Sequence, residues 1–137
     1  VSLYAQGPKV LRSGSDITLV GCSYTTKLCR EAAQQLALGG VSAEVIDLRV
    51  LNPLDPLLII ESVARTGHLV VVDGDWRSCG LAGEVIALVA ESRASGKPFR
   101  CARVTHPDAP APTSSVLERE FYFTVDDVIA AAKQLLK

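Results

Sequence analysis

The sequence predicts a three-layer α/β/α domain in which helices cover both faces of a mainly parallel sheet. Three observations carry the prediction. Short runs rich in β-branched residues alternate with helical patterns of roughly ten to fifteen residues, which implies right-handed βαβ crossovers. The 137 residues are 48% hydrophobic, enough to bury one core without a disulfide or metal. No stretch reaches the ~18 apolar residues of a membrane helix, and the start lacks the basic and apolar regions of a signal peptide. A soluble, cytoplasmic protein is the expectation. The chain begins at Val1 and has no methionine, so it is expected to be a processed chain or the excised end of something longer.

Taken in order, residues 1–15 carry Gly7, Pro8 and Gly14 around "KVLR" and read as a linker with one edge strand, leaving 16–137 as the domain. "ITLVGC" is a short apolar strand rich in β-branched residues. The helix after it places Leu28, Ala32 and Leu36 at helical spacing and stops at Gly39-Gly40. "SAEVIDLRV" is the next strand. In "DPLLIIESVARTG", Asp55 caps a helix with Pro56 in its first turn and Gly67 closes it. "HLVVVD" is a strand, followed by a turn carrying Trp76 and a helix with Leu81, Val85 and Leu88 on one face. "FRCARVT" is the last of these strands. The proline-rich loop "HPDAPAPTSS" then leads to a final helix capped by Thr124, with Asp126 and Asp127 suited to its N-terminal dipole.

Charge and motif spacing exclude several chemistries. Fourteen basic residues balance fifteen acidic ones, so the basic footprint of a nucleic-acid binder is missing. Cys22, Cys29, Cys79 and Cys101 are scattered singly, without zinc spacing. Gly74, Gly80 and Gly83 have five and two residues between them, which fits neither a dinucleotide fingerprint nor a P-loop. Gly80 and Gly83 instead let a helix approach the sheet closely, the alternative being an anion at the helix N-terminus. Asp73 and Asp75 flank Gly74 and read as turn residues, or as a carboxylate pair for acid/base work or a cation. Cys79, beside the helix start, is either a small, partly buried residue or a reactive thiol. His68 and His106 read as structural, with a ligand contact as the alternative. Asp47 and Arg49 share a strand face and are placed to pair with each other or with another chain. Trp76, the sole tryptophan, is an interface anchor or an ordinary packing residue. The loop stiffened by Pro107, Pro110 and Pro112 is a rigid crossover or a contact segment.

"GSDITLVGCS", "AEVIDLRVLNPLD", "VVVDGDWRSCGLAGEVIA" and "ARVTHPDAPAPTSSVLE", in this order, resemble the C-terminal domain of the β chain of 2-oxo acid dehydrogenases of the pyruvate, branched-chain and acetoin type. The resemblance covers nearly the whole chain. It implies the transketolase C-terminal-domain fold, a five-stranded mixed sheet whose antiparallel edge strand is "KVLR". It implies thiamine diphosphate and magnesium in the full enzyme, held by parts absent here, so no catalytic, cofactor-binding or metal-binding role passes to any residue of this chain. The fragment alone is expected to be inactive. The implied partners are the α chain, a second β chain and the dihydrolipoyl acyltransferase core, with neither nucleic acid nor membrane. Interface candidates by position are Trp76, Arg77, Gly80, Gly83, Glu84, Pro107, Asp108, Pro110 and Pro112. The segment "SGKPFRC", with Lys97 and Arg100, departs from the acidic stretch of many family members, so no acidic docking contact is carried over there.

Two further readings stand beside this one. The first is a small-anion or regulatory ligand-binding module at the strand ends. The second is the equivalent domain of a transketolase or deoxyxylulose-phosphate synthase, against which the "WRSCGLAGE" and "PDAPAP" blocks speak.

Overall fold

A computed structural model describes residues 6–92 and 96–137. The first five residues of the linker and residues 93–95, where the third helical pattern was expected to run out, lie outside the described residues. The element order is β1 (Lys9–Arg12), β2 (Ile17–Gly21), α1 (Tyr24–Leu38), β3 (Ala43–Asp47), α2 (Leu57–Thr66), β4 (His68–Trp76), α3 (Leu81–Glu91), β5 (Arg100–His106), α4 (Ser115–Phe121) and α5 (Val125–Leu135). The sheet order is β1-β3-β2-β4-β5. β2 is parallel to β3 and β4, and β4 to β5, whereas β1 pairs antiparallel with β3. The mainly parallel five-stranded sheet with one antiparallel edge strand is therefore present.

Alternation along each strand divides the core in two. One face puts Leu19, Val45, Val70 and Val72 against Cys29, Ala32 and Leu36 of α1 and Val128 and Ala132 of α5. The other puts Val20, Ile46, Leu69 and Val71 against Ile59 and Val63 of α2 and Ala82, Val85 and Val89 of α3. β2 is buried along its whole length, because a central parallel strand is covered on both faces. The first connection leaves β2 toward β3 and the next crosses to β4. The loops after β2 and β4 thus diverge, opening a crevice at their carboxyl ends where ligands and contacts of α/β sheets gather.

Local chemistry explains most of the boundaries. Gly67 ends α2 in the left-handed conformation, φ 69°, and Asp55 Oδ1 accepts the Leu57 amide at 3.0 Å. Thr124 and Asp127 form a reciprocal capping box on α5. Four expectations need correction. α3 buries Ala82, Val85 and Val89, while Leu81 and Leu88 are only half-buried, because close approach to the sheet suits the smaller residues. β3 stops at Asp47, and Arg49 takes a left-handed φ of 61° that no strand allows. β4 runs on to Trp76, which pairs with His106 across a register shift, so residues 73–76 are strand and not turn. The proline loop gives way to α4, which buries none of its residues.

Candidate functional site

The carboxyl end of β4 is assembled by two aspartates that serve the backbone. Asp73 is buried, and its Oδ2 accepts the Ala82 amide at 2.8 Å, capping α3 from the strand before it. A carboxylate of the chain itself therefore occupies the helix terminus where an anion was weighed. Asp75 Oδ1 accepts the Trp76 amide at 2.7 Å. Asp73 is thus a helix cap and Asp75 a local backbone acceptor within the strand, and the left-handed residue here is Cys79, φ 60°. Gly80 is required, because a Cβ there would lie 2.3 Å from the Trp76 carbonyl oxygen. Gly83 is not, since a Cβ there meets only Arg103 at 4.0 Å.

The strand end and the proline loop, separate in sequence, come together. The Arg77 amide donates to the His106 carbonyl at 3.1 Å. Asp108 accepts the Ser78 amide at 2.8 Å and its hydroxyl at 2.7 Å. Trp76 Nε1–H donates to the Ala109 carbonyl at 3.2 Å, and Arg103 Nη1 donates to the Arg77 carbonyl at 2.8 Å. The Ser78 hydroxyl, then its amide, then Arg77 and Arg103 hold the Asp108 carboxyl below its usual range. Trp76, Ser78, Cys79, Asp108, Ala109 and Pro110 line an open groove of about 500 Å³. Trp76 remains 53% exposed although its one polar atom is bonded, so the ring is held in place and presented. Of the remaining candidates, Glu84 stands in the first turn of α3 and Pro112 is half-buried ahead of α4; neither they nor Gly83 line the groove. α4 adds Val116 and Leu117, 66% and 55% exposed.

A second cluster was missed in the sequence. His106 is the last residue of β5 rather than the start of a loop. Its ring stacks on Phe121 at 5.1 Å, meets Tyr122 edge-on at 5.1 Å and leans on Phe123 at 4.8 Å. Its Nδ1 is buried without a partner. The signal available in the sequence was the aromatic triplet 121–123 just ahead of the Thr124 cap. His68, by contrast, is structural: its Nδ1–H faces the Thr66 and Asp16 carbonyls at 2.9 and 3.1 Å.

The other candidates separate. Asp47 accepts the Thr26 hydroxyl at 3.0 Å and Arg49 turns to Gln6, so the expected Asp47–Arg49 pair does not form. Burial pushes the Cys29 thiol up to about 12, with Asp47 adding to the rise, while Cys79 is exposed rather than partly buried. Among the described residues, no three His, Cys, Asp or Glu side chains converge in a way that could hold a metal ion. No helix among the described residues is long and apolar enough to cross a membrane.

Known proteins share this architecture. Pyruvate dehydrogenase E1 component subunit beta, mitochondrial, is 37% identical over 127 residues in Dictyostelium discoideum and 39% over 129 in Mus musculus. The acetoin:2,6-dichlorophenolindophenol oxidoreductase subunit beta of Bacillus subtilis (strain 168) is 35% identical over 127. Each match covers 93% of this chain but only 36% or 37% of the relative, so the chain spans about a third of the length of these proteins. A structure described as a split gene transketolase, inactive beta4 tetramer, superposes with a TM-score of 0.84 at 28% identity, covering 99% of this chain and 43% of that one. A 2-oxoglutarate:ferredoxin oxidoreductase from Magnetococcus marinus shares the fold alone, with a TM-score of 0.64 at 14% identity over 96% of this chain and 20% of that one.

These relatives overturn the cytoplasmic location expected from composition. The pyruvate dehydrogenase chains are named as mitochondrial, and the composition of a folded domain does not report its compartment. Residues 7–128 match the model of the transketolase, C-terminal domain, and with the five-stranded sheet this establishes that the chain belongs to that family.

Proposed function

We propose that the chain is the non-catalytic assembly domain of the β chain of a 2-oxo acid dehydrogenase. The observation that carries this reading is the 35–39% identity to pyruvate dehydrogenase and acetoin β subunits over 93% of the chain. In it, residues 16–137 are the domain, and residues 1–15 are the linker that brings the edge strand. The full enzyme decarboxylates a 2-oxo acid oxidatively with thiamine diphosphate and magnesium, which other parts of the assembly hold. The contact face is the tryptophan groove with its surroundings: Trp76, Arg77, Gly80, Gly83 and Glu84 on one side, and Pro107, Asp108, Pro110 and Pro112 on the other. Its partners are the α chain and a second β chain, with the dihydrolipoyl acyltransferase core beyond them. A fixed, exposed tryptophan beside apolar loop residues is the composition of an interface centre.

Two measurements test the reading. The purified 137-residue chain, given thiamine diphosphate, magnesium and pyruvate, branched-chain 2-oxo acids or acetoin, is expected to show no turnover; turnover would overturn the non-catalytic role. In binding assays with a 2-oxo acid dehydrogenase α chain or intact β chain, Trp76→Ala is expected to weaken association by at least about tenfold. Equal binding by the variant would remove the groove from the interface.

A further inference from the structure

On the other side of the Arg77 strand end lies a second, larger cavity, of about 700 Å³. It runs between the end of β5, the α4–α5 turn and the outer face of α5. Three arginines, Arg77, Arg103 and Arg119, line it together with the His106 and Phe121–Phe123 rings. Two carboxylates share the lining, Glu120 and Asp127. Asp127 Oδ2 accepts the Thr124 amide at 2.7 Å and the Thr124 hydroxyl at 3.2 Å, so its lone pairs are engaged while its charge stays in the lining, where three guanidinium groups outnumber two carboxylates. Arg103 has one nitrogen committed to the Arg77 carbonyl. Arg77 and Arg119 stand in neither of the ion pairs Lys27–Glu31 and Arg65–Glu44, and the Arg77 charge acts on the Asp108 carboxyl of the neighbouring groove without closing an ion pair with it.

We infer that this cavity is a binding site for a small organic phosphate that carries a planar ring. A guanidinium offers a fixed fork of donors that matches phosphate oxygens two at a time. Arg77 and Arg119 supply two such forks, neither closed in an ion pair, and Arg103 adds a third charge. The half-buried Phe121 and Phe123 and the exposed Tyr122 supply a wall on which a flat group stacks. The volume falls within the range of small-molecule sites, about 300–1,000 Å³. The anchoring is also stiff: the rings pack on His106 at the end of β5, and the capping box fixes the chain just beyond them. This site is distinct from the terminus of α3, where Asp73 already fills the anion position. It goes beyond the assembly role and does not depend on it.

Calorimetric titration of the 137-residue chain with ADP, adenosine, inorganic pyrophosphate and poly-glutamate tests the assignment. ADP is expected to bind with a Kd near or below about 1 mM, more tightly than adenosine or pyrophosphate, since neither offers both the ring and the charge. The double variant Arg77→Ala/Arg119→Ala is expected to lose about tenfold or more in affinity, with an unchanged thermal midpoint because both side chains lie on the surface. Arg30→Ala, a surface arginine of α1, should bind as the parent does. No heat with ADP, or equal affinity in the double variant, would overturn the site. Binding of poly-glutamate without ADP would overturn it too, and would assign the arginines to an acidic protein partner.

Discussion

The two ends of the sheet use the same chemistry, hydroxyls and carboxylates on backbone and neighbours, for opposite purposes. At the amino end of the parallel strands, the Thr18 hydroxyl is fully buried and bonds Ser62 at 2.7 Å and Thr66 at 2.8 Å. Beside it, Glu44 takes Arg65 at 2.6 Å and the Gly14 amide at 3.3 Å. At the carboxyl end, Ser78 and Asp108 make bonds of similar length in the open. A polar group withdrawn from water loses its hydration, so removing its partner is expensive; an exposed group turns back to water at little cost. The amino end therefore secures the fold, and the carboxyl end is free to present a surface.

The sharpest way to break this contrast is Gly14→Ala. A Cβ there would lie 2.2 Å from the Ala43 carbonyl carbon and the Glu44 amide nitrogen, so β1 must detach or shift. A loss of about 3 kcal/mol or more is expected in urea unfolding. Thr18→Val comes next. It keeps the volume but removes the hydroxyl that Ser62 and Thr66 share, leaving Ser62 its bond to Glu44 and Thr66 its bond to the His68 carbonyl at 3.1 Å, at a cost of about 1 kcal/mol; a change under about 0.5 kcal/mol would show that the network is not a stabilising element.

Glu44 gives a smaller, pH-dependent effect. Burial is the largest single influence on its carboxyl and pushes the pKa up. The hydrogen bonds from Ser62, Arg65 and the Gly14 amide, with the Arg65 charge, together outweigh it and hold the group below its ordinary 4.5. Because the folded value is the lower one, this contribution is complete above the unfolded value and is lost as the pH falls through the folded one. Stability measured from pH 6 downward should show that acid limb, and Glu44→Gln should flatten it. An identical limb in the variant would refute the assignment. Smallest of all is Ser78→Ala, expected within about 0.5 kcal/mol of the parent in stability. A larger loss would mean that the carboxyl end also holds the fold together.

The layers and most helix ends were legible in the sequence because they are local, whereas the amino-end network, which joins Thr18 to Ser62 and Thr66, was not. Hydrophobic alternation gave the strands, and Asp55, Gly67, Thr124 and Asp127 gave helix ends through contacts a few residues apart. The edge strand was legible from the residues around "KVLR", but its antiparallel direction only through family resemblance, since its burial pattern is half exposed and periodicity says little about such a segment. The carboxyl end was hardest to read. The extension of β4 to Trp76 rests on pairing with His106, thirty residues away, and the Asp73 cap reaches past eight intervening residues. α4 buries nothing, so no hydrophobic stripe announced it. The meeting of residues 76–80 with 107–110 was likewise invisible, although both stretches were picked out separately for their residue types.

The reversed direction of β1 has a practical consequence. Lys9 pairs with Asp47, at the carboxyl end of β3, so residues entering the domain arrive at the same end as Trp76. α5 runs the other way and finishes at the start of β5, where the Arg100 guanidinium holds the Leu135 carbonyl at 2.6 Å. A fluorophore attached at Lys9 would crowd the presented surface, whereas one attached at Lys137 leaves from the opposite pole. Immobilising the chain by its last residue thus turns the tryptophan groove outward, the orientation any surface-based binding measurement requires.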